Sequence, residues 1–392
     1  MKRHIAALII MGASLTLQAQ THIESALQAI EQNNTTLAAL RQAAEAEKLN
    51  NLTGLTLADP EVEFAYLWGK PAVPGNRKDI KVLQSFDLAT VSGLKSKVGR
   101  QKNQLVEWQY KADRQEILLE AKQYCLDLIY YNALLGELSR RSAYARTISA
   151  GEKQRLEKGE INRVEYNNVL LNLSAVEAEI ISLRTERDVV QAQLAKLNGG
   201  AALPFDASEY EAIQMPLDFD EWYDAAESNS PALAYVRQEI EVSKKELSLN
   251  KVQGLPTLST GYMGEFVAGQ DFQGVVVGLS IPLWSNKNRV RQAKAAVQAA
   301  EARHTDAKQQ FYGNLQILYH RALGLKSVAD TYHAALQSAD NSRLLKTAFD
   351  EGQISVLEYL VEMDSYYNAV RQALQAEREY QKAYAELSAF AL

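Results

Sequence analysis

The sequence predicts a mainly α-helical protein made of two tandem repeats, each contributing two β-strands to a membrane β-barrel. Three observations predict this: the spacing of prolines, an internal similarity at an offset near 195 residues, and four segments of alternating apolar residues. All eight prolines lie between positions 60 and 282, so residues 75–203 and 283–392 contain none. Proline lacks an N–H and clashes with the preceding helical turn. Proline-free blocks this long, rich in Ala, Leu, Glu, Gln and Lys, predict very long helices rather than a compact multi-domain enzyme.

The N-terminus has the pattern of a leader. Lys2 and Arg3 precede an uncharged run from Ile5 to Leu17, and small Ala19 stands before Gln20. Such a run is too short to span a bilayer as a helix. It predicts a signal peptide over residues 1–19, cleaved after Ala19, and hence export. No cysteine follows the expected cut, so no lipid anchor is expected. The remaining chain has no apolar run of transmembrane length, so any membrane insertion must use strands.

Charge and titratable residues exclude several classes. With 42 basic and 48 acidic residues the net charge is −6, and both signs are interspersed. There is no basic stripe for nucleic acid. The one cysteine, Cys125, sits among helical residues and reads as a small buried hydrophobe. The histidines at 4, 22, 304, 320 and 333 lack metal-ligand spacing, so no metal or other cofactor is expected.

The internal similarity orders the chain. Leu37-Ala38-Ala39-Leu40-Arg41-Gln42 is echoed by Leu233-Ala234-Tyr235-Val236-Arg237-Gln238, and Pro60 by Pro256, at an offset of 196. Further on, Lys158-Gly159-Glu160-Ile161 and Glu165-Tyr166 meet Glu351-Gly352-Gln353-Ile354 and Glu358-Tyr359 at an offset of 193. This divides the chain into a first repeat at 20–198, a linker at 199–219 and a second repeat at 220–392. Each repeat reads helix, strand, strand, long helix, turn, helix.

The strands carry period-two alternation. In Glu61–Trp68 the apolar face is Val62, Phe64, Tyr66 and Trp68. In Asp79–Leu88 it is Ile80, Val82, Phe86 and Leu88, with Gln84 the exception. In the second repeat Leu258, Tyr262 and Phe266 oppose Ser259 and Glu265. Val275, Val277, Leu279, Ile281 and Leu283 then oppose Gly274, Gly278 and Ser280. An apolar, aromatic face against small or charged residues suits lipid outside and water inside.

Long helices are expected over Leu94–Lys158 and Lys287–Glu351. Stripes at steps of four and three, such as Ile117, Ala121, Tyr124, Leu128, Tyr131, Leu135 and Leu138, predict coiled-coil packing. Gly159 and Gly352 are expected to end them in the left-handed cap conformation. Asn162 with Glu165, and Ser355 with Glu358, then have the spacing of capping boxes that start the next helices. Both repeats thus encode an abrupt helical hairpin, and such exposed tips are candidates for docking a partner. Four strands cannot close a membrane barrel, so the chain must oligomerise. Two copies would supply eight strands and three would supply twelve.

With these features the sequence resembles the TolC family of outer-membrane efflux channels over nearly the whole chain after the leader. The resemblance rests on the tandem repeat, on Ser280-Ile281-Pro282-Leu283-Trp284 running into an Arg/Ala-rich helix, and on the tip Phe349-x-x-Gly352-x-x-Ser355-x-x-Glu358-Tyr359-Leu360. It implies a homotrimer in the outer membrane of a Gram-negative bacterium, with a twelve-stranded barrel in lipid and a helical periplasmic tunnel. Half-length helices are then expected near 22–57, 161–198, 220–253 and 354–390. The resemblance also implies a duct that works with a periplasmic adaptor (membrane fusion protein) and an inner-membrane RND or ABC transporter. Gly159, Ile161, Asn162, Gly352, Ile354 and Ser355 would face the adaptor. Glu358 matches an acidic gate position of some members, with Glu362 and Glu165 as further candidates. Repeated around a narrow pore, Glu358 would attract cations and have its pKa raised by its copies. The positions of the family's polar latch hold Phe349 and Ile354, so a latch of that type is not expected.

A type I secretion exit duct shares every feature above. A periplasmic coiled-coil scaffold without a pore would leave the four matched strand segments to chance. A periplasmic adaptor would carry glycine-rich lipoyl-like segments around a single hairpin. No nucleophile elbow, phosphate loop or paired carboxylates point to an enzyme.

Overall fold

The computed structural model describes residues 17–70, 75–284, 286–338 and 342–392, with side chains from residue 22. The expected leader lies outside the described residues except for positions 17–19, which open the first helix. The elements are α1 (Leu17–Asn33), α2 (Thr35–Asn50), β1 (Glu61–Leu67), β2 (Arg77–Phe86), α3 (Leu88–Val91), α4 (Leu94–Glu157) and α5 (Arg163–Leu197). The second repeat supplies α6 (Phe219–Asn229), α7 (Pro231–Val252), β3 (Thr257–Val267), β4 (Gln270–Ser280), α8 (Arg289–Ser338), α9 (Ser342–Asp350) and α10 (Val356–Leu387). The duplicated order of helix, strand pair, long helix and helix is therefore present. Contacts divide the chain into two units: residues 39–112 with 227–311, and residues up to 38 with 113–226 and 312–392.

The first unit holds an antiparallel sheet in the order β1-β2-β3-β4. Its register sorts the side chains as the alternation predicts. Val62, Val82, Tyr262 and Val275 form one row across all four strands. Phe86, Leu258 and Leu279 form another on the same face. Much of this face is bare: Val62 is 71% exposed, Phe64 63% and Val275 81%. The opposite face carries charge. Arg77 donates to Asp79 and to Glu265, each at 2.7 Å, and Lys81 lies 3.9 Å from Glu63. An apolar surface turned outward, with the ion pairs behind it, inverts the arrangement of a water-soluble sheet. Burying a charge in lipid is expensive, whereas an ionic lattice in a watery lumen is not.

In the second unit, α4 is the central element. Its residues Ala121, Cys125, Leu128 and Ile129 are buried with Ile30 of α1, Leu194 of α5, Phe205 and Ala385 of α10. Further along, Leu134, Leu135 and Leu138 pack with Val176 and Ile180 of α5. Burial pushes the Cys125 thiol up to about 12, so it behaves as the expected inert hydrophobe.

The segment 199–218 has no regular secondary structure, yet it is bound by side chains from the helices around it. Asn132 donates to the carbonyls of Phe205 and Ala207, at 3.2 and 2.9 Å. Gln381 donates to Glu211 O at 2.9 Å, and Tyr319 to Pro216 O at 3.0 Å. Tyr210 of the segment donates to Leu126 O at 3.0 Å. Side chains here supply the partners that a helix or ladder would give the backbone.

Two helices differ from expectation. The helix expected near 22–57 is interrupted at Asn34. Its Oδ1 accepts from Leu37 N at 2.8 Å, starting α2, while its amide donates to Leu197 O at 2.8 Å. The helix expected at 220–253 is interrupted at Ser230, which caps α7 by accepting from Leu233 N at 3.3 Å. Pro231 follows at the first helical position, and the residue before a proline is held out of the helical region. Asn34 and Ser230 stand at the repeat offset of 196, and buried Leu37 and Leu233 follow each at the same step. Of the long helix expected over Lys287–Glu351, Arg289–Ser338 and Ser342–Asp350 are helical, and residues 339–341 lie outside the described residues. In the first repeat α4 matches the expected Leu94–Lys158 to within one residue.

Candidate functional site: the paired helical tips

Both tips have the backbone geometry that their residues predict. After α4, Gly159 takes φ 75°, and the N–H groups of Gly159 and Glu160 return to Leu156 O and Arg155 O at 3.0 and 2.9 Å. After α9, Gly352 takes φ 71°, and Gly352 and Gln353 return to Phe349 O and Ala348 O at 3.0 and 2.8 Å. A side chain bearing Cβ is strained at such φ, so glycine satisfies the last carbonyls without cost.

The next helices start in two related ways. Asn162 accepts from the N–H groups of Val164 and Glu165, both at 2.9 Å, and its amide donates to Glu165 Oε1 at 2.7 Å. Ser355 makes a full capping box. Its hydroxyl accepts from Glu358 N at 3.2 Å, while its own N–H donates to Glu358 Oε2 at 2.8 Å.

That box engages the Glu358 carboxyl. The Ser355 N–H and hydroxyl hold it below the ordinary glutamate range. Within the chain the carboxylate is already engaged at a helix start, which favours its charged form.

The tips meet at an open cleft of about 830 Å³. Ile161 and Glu165 from the first tip, and Gly352, Ile354 and Ser355 from the second, line it together. Gly159, Asn162, Glu358 and Glu362 are not among its lining residues. Glu152 also lines it, buried to 3% exposure and paired with Arg155 at 3.0 Å.

Beneath the cleft a layer unforeseen in the sequence ties α9 and α10 to α4. Ile148, Val169, Val356, Tyr359 and Met363 form its apolar part. Tyr144 donates to Asp350 Oδ1 at 3.0 Å, Lys346 pairs with the same carboxylate, and the ammonium lies 4.7 Å from the Tyr144 ring. Arg141, almost wholly buried, reaches Asp364 at 3.0 Å and stacks on Tyr367 at 4.7 Å. Phe349 stacks on Tyr359 at 5.0 Å. Hydrogen bonds from Lys346 and Tyr144 hold the Asp350 carboxyl low. Burial, and then the bond to Asp350, pushes the Tyr144 hydroxyl up.

A signal for this layer existed. Continuing the four-three stripe past Leu138 gives Ser142, Ala145, Ser149 and Glu152, all buried. A seam that turns small and polar marks where a polar contact replaces apolar packing.

The two tips share a backbone but not a charge pattern. Residues 152–165 balance Glu152, Glu157, Glu160 and Glu165 against Lys153, Arg155, Lys158 and Arg163. Residues 349–364 hold Asp350, Glu351, Glu358, Glu362 and Asp364 with no base.

A four-stranded antiparallel sheet and two duplicated helical hairpins define a TolC-like fold. Residues 222–391 match the outer membrane efflux protein family, and the protein is an outer-membrane one. The chain is 24% identical to the alkaline protease secretion protein AprF of Pseudomonas aeruginosa over 311 residues, covering 73% of this chain and 63% of AprF. It thus spans less than two thirds of that relative. Among solved structures, the Campylobacter jejuni CmeC outer membrane channel superposes with a TM-score of 0.74 at 14% identity, covering 94% of this chain and 85% of CmeC. CusC superposes with a TM-score of 0.76 at 14% identity, covering 94% and 92%. At such identity the structures speak to the fold, and the TolC-like architecture is present across nearly the whole chain.

Proposed function

We propose that the chain is one protomer of a homotrimeric outer-membrane channel, the exit duct of a tripartite efflux pump. It would move small molecules or ions from the periplasm or an inner-membrane transporter to the exterior, with no catalytic role of its own. The observation that carries this reading is the sheet, one face of which is apolar and exposed and whose edges β1 and β4 have no partner strand among the described residues. Unpaired strand edges are untenable in lipid. Because neighbouring strands alternate in direction, β4 of one copy and β1 of the next are antiparallel, and rotational repetition closes the wall.

In this reading residues 1–19 are the leader, 20–198 and 220–392 the two repeats, and 199–219 the strap that crosses the helices. Gly159, Ile161, Asn162, Gly352, Ile354 and Ser355 form the adaptor-facing surface, and an RND or ABC transporter stands beyond the adaptor. Glu358, Glu362 and Glu165 are the acids of the pore entrance. The acids Asp350, Glu351, Glu358, Glu362 and Asp364 of the second tip outnumber its base Lys346, which supports a cation-attracting mouth.

A second reading, a type I secretion exit duct, is favoured by the match to a protease secretion protein. Loss of the gene separates the two. Sensitivity to small toxic compounds with normal protein export supports efflux, and the reverse pattern supports secretion. The channel itself is tested by heat-modifiable migration as a trimer and by stepwise conductance in planar bilayers. Glu358→Gln, which keeps a capping partner while removing charge, should lower cation selectivity and leave the trimer intact. Unchanged selectivity removes Glu358 from the gate.

A further inference from the structure

The two long helices begin against their own dipoles. A helix N-terminus carries partial positive charge and usually attracts acids. Neither α4 nor α8 has an acid in its first turn. Residues 88–106 contain Lys95, Lys97, Arg100 and Lys102 and no Asp or Glu. Residues 272–300 contain Lys287, Arg289, Arg291 and Lys294 and again no acid. The same unfavourable pattern therefore occurs in both repeats, shortly after the strand pair.

Within the chain only part of this charge is answered. Lys95 pairs with Asp87 at 3.3 Å, and Lys102 with Glu246 at 2.8 Å. Lys97, Arg100, Lys287, Arg289, Arg291 and Lys294 are exposed, and among the described residues none has an acidic side chain within ion-pair distance.

Their place in the fold supplies the second observation. β2 and β4 end at the same edge of the sheet, where Phe86, Leu258 and Leu279 stand in register. The bare apolar face of β4 continues past Leu279 through Ile281 and Leu283 to Trp284, which is 82% exposed. Three residues later the basic cluster begins at Lys287. In the first repeat exposed Leu88 and Val91 precede Lys95 and Lys97 in the same way. An apolar face ending in an aromatic residue, followed by unpaired cations, is the profile of a bilayer boundary where the chain leaves acyl chains for head groups.

We propose that these six side chains form a collar that binds the phosphates of anionic glycerophospholipids in the leaflet next to the helices. The proposal rests on the reading of the sheet as a membrane wall, and it names the lipid chemistry that wall selects. Anionic head groups supply the negative charge that the first turns lack.

Trp284 lies between the apolar face and the cluster and so reports on the neighbouring lipid. The full-length protein is reconstituted in bilayers containing brominated phosphatidylcholine or brominated phosphatidylglycerol. Quenching due to Trp284 is the difference between wild type and Trp284→Phe. The expected result is a preference of roughly threefold or more for phosphatidylglycerol at low salt. The preference should approach parity in about 0.5 M salt, where screening is short-ranged. It should also approach parity at low salt in the variant carrying Lys287→Gln, Arg289→Gln, Arg291→Gln and Lys294→Gln. Should that variant fail to insert, Arg291→Gln with Lys294→Gln alone should still reduce the preference. Equal quenching by the two lipids in wild type overturns the collar. Quenching by aqueous iodide but by neither lipid overturns the membrane wall with it.

Discussion

The two long helices are copies of one element in very different surroundings. From Leu118 to Glu152, α4 is buried at successive turns by α1, α5, α10 and the strap, with Leu128 and Cys125 fully enclosed. α8 is buried only at single positions, Ala293, Ala300, Leu315, Ala322 and Ala329, spaced by seven residues except for one longer step between Ala300 and Leu315. Its other faces leave Ile317, Leu323 and Val328 exposed. A seven-residue period leaves one narrow seam in contact with a partner. Duplication preserved the helix and its tip, whereas the packing environment diverged. One copy became the core of the chain, and the other kept an exposed face.

Substitutions graded along this contrast should have graded effects. Leu128→Ala, which empties a fully enclosed site on α4, should cost about 2–5 kcal/mol in chemical denaturation. Ala322→Leu, which forces the single seam of α8 apart, should cost roughly 1–3 kcal/mol. Equal costs at matched burial on both helices would erase the distinction. Tyr144→Phe removes one hydrogen bond under the second tip and should cost about 1 kcal/mol or less. Hydrogen exchange should show the loss concentrated in α9 and the start of α10. Ile317→Ser and Val328→Ser should change the stability of the isolated chain by less than about 0.5 kcal/mol. They should nevertheless weaken the assembled oligomer on native gels.

The tips extend the comparison to pH. Asp350 and Glu358 have folded pKa values below their unfolded ones, so the stability they confer is fully present above the unfolded carboxylate range. It is lost as pH falls through the folded values. Exchange protection at the second tip should therefore hold from neutral pH to about pH 5 and decline in stronger acid. Asp350→Asn should flatten that decline.

What was legible in the sequence follows the range of the interactions. The strands were readable because alternation is a property of neighbours, and the apolar face of β4 follows from Val275, Val277 and Leu279 alone. The tips were readable because a glycine, a cap and an acid lie within seven residues. Asn34 was not, because what sets it in place is the carbonyl of Leu197, far along the chain. The same holds for Arg141, whose partner Asp364 belongs to the other repeat. The engagement of Glu358 lies between. Its capping box was readable, but its consequence for the acid's charge needed the geometry of Ser355.

The claim on which the rest depends is that the sheet closes only with copies of itself. Edge-to-edge cross-linking tests it most directly. Phe64→Cys on β1 and Val277→Cys on β4 are introduced together, with buried Cys125 left in place, and treated in membranes with a short bis-maleimide. The closed wall predicts covalent dimers and trimers with nothing larger, and each single variant should remain monomeric. Linkage confined to one chain, or none in protein shown to be folded and membrane-bound, would contradict it.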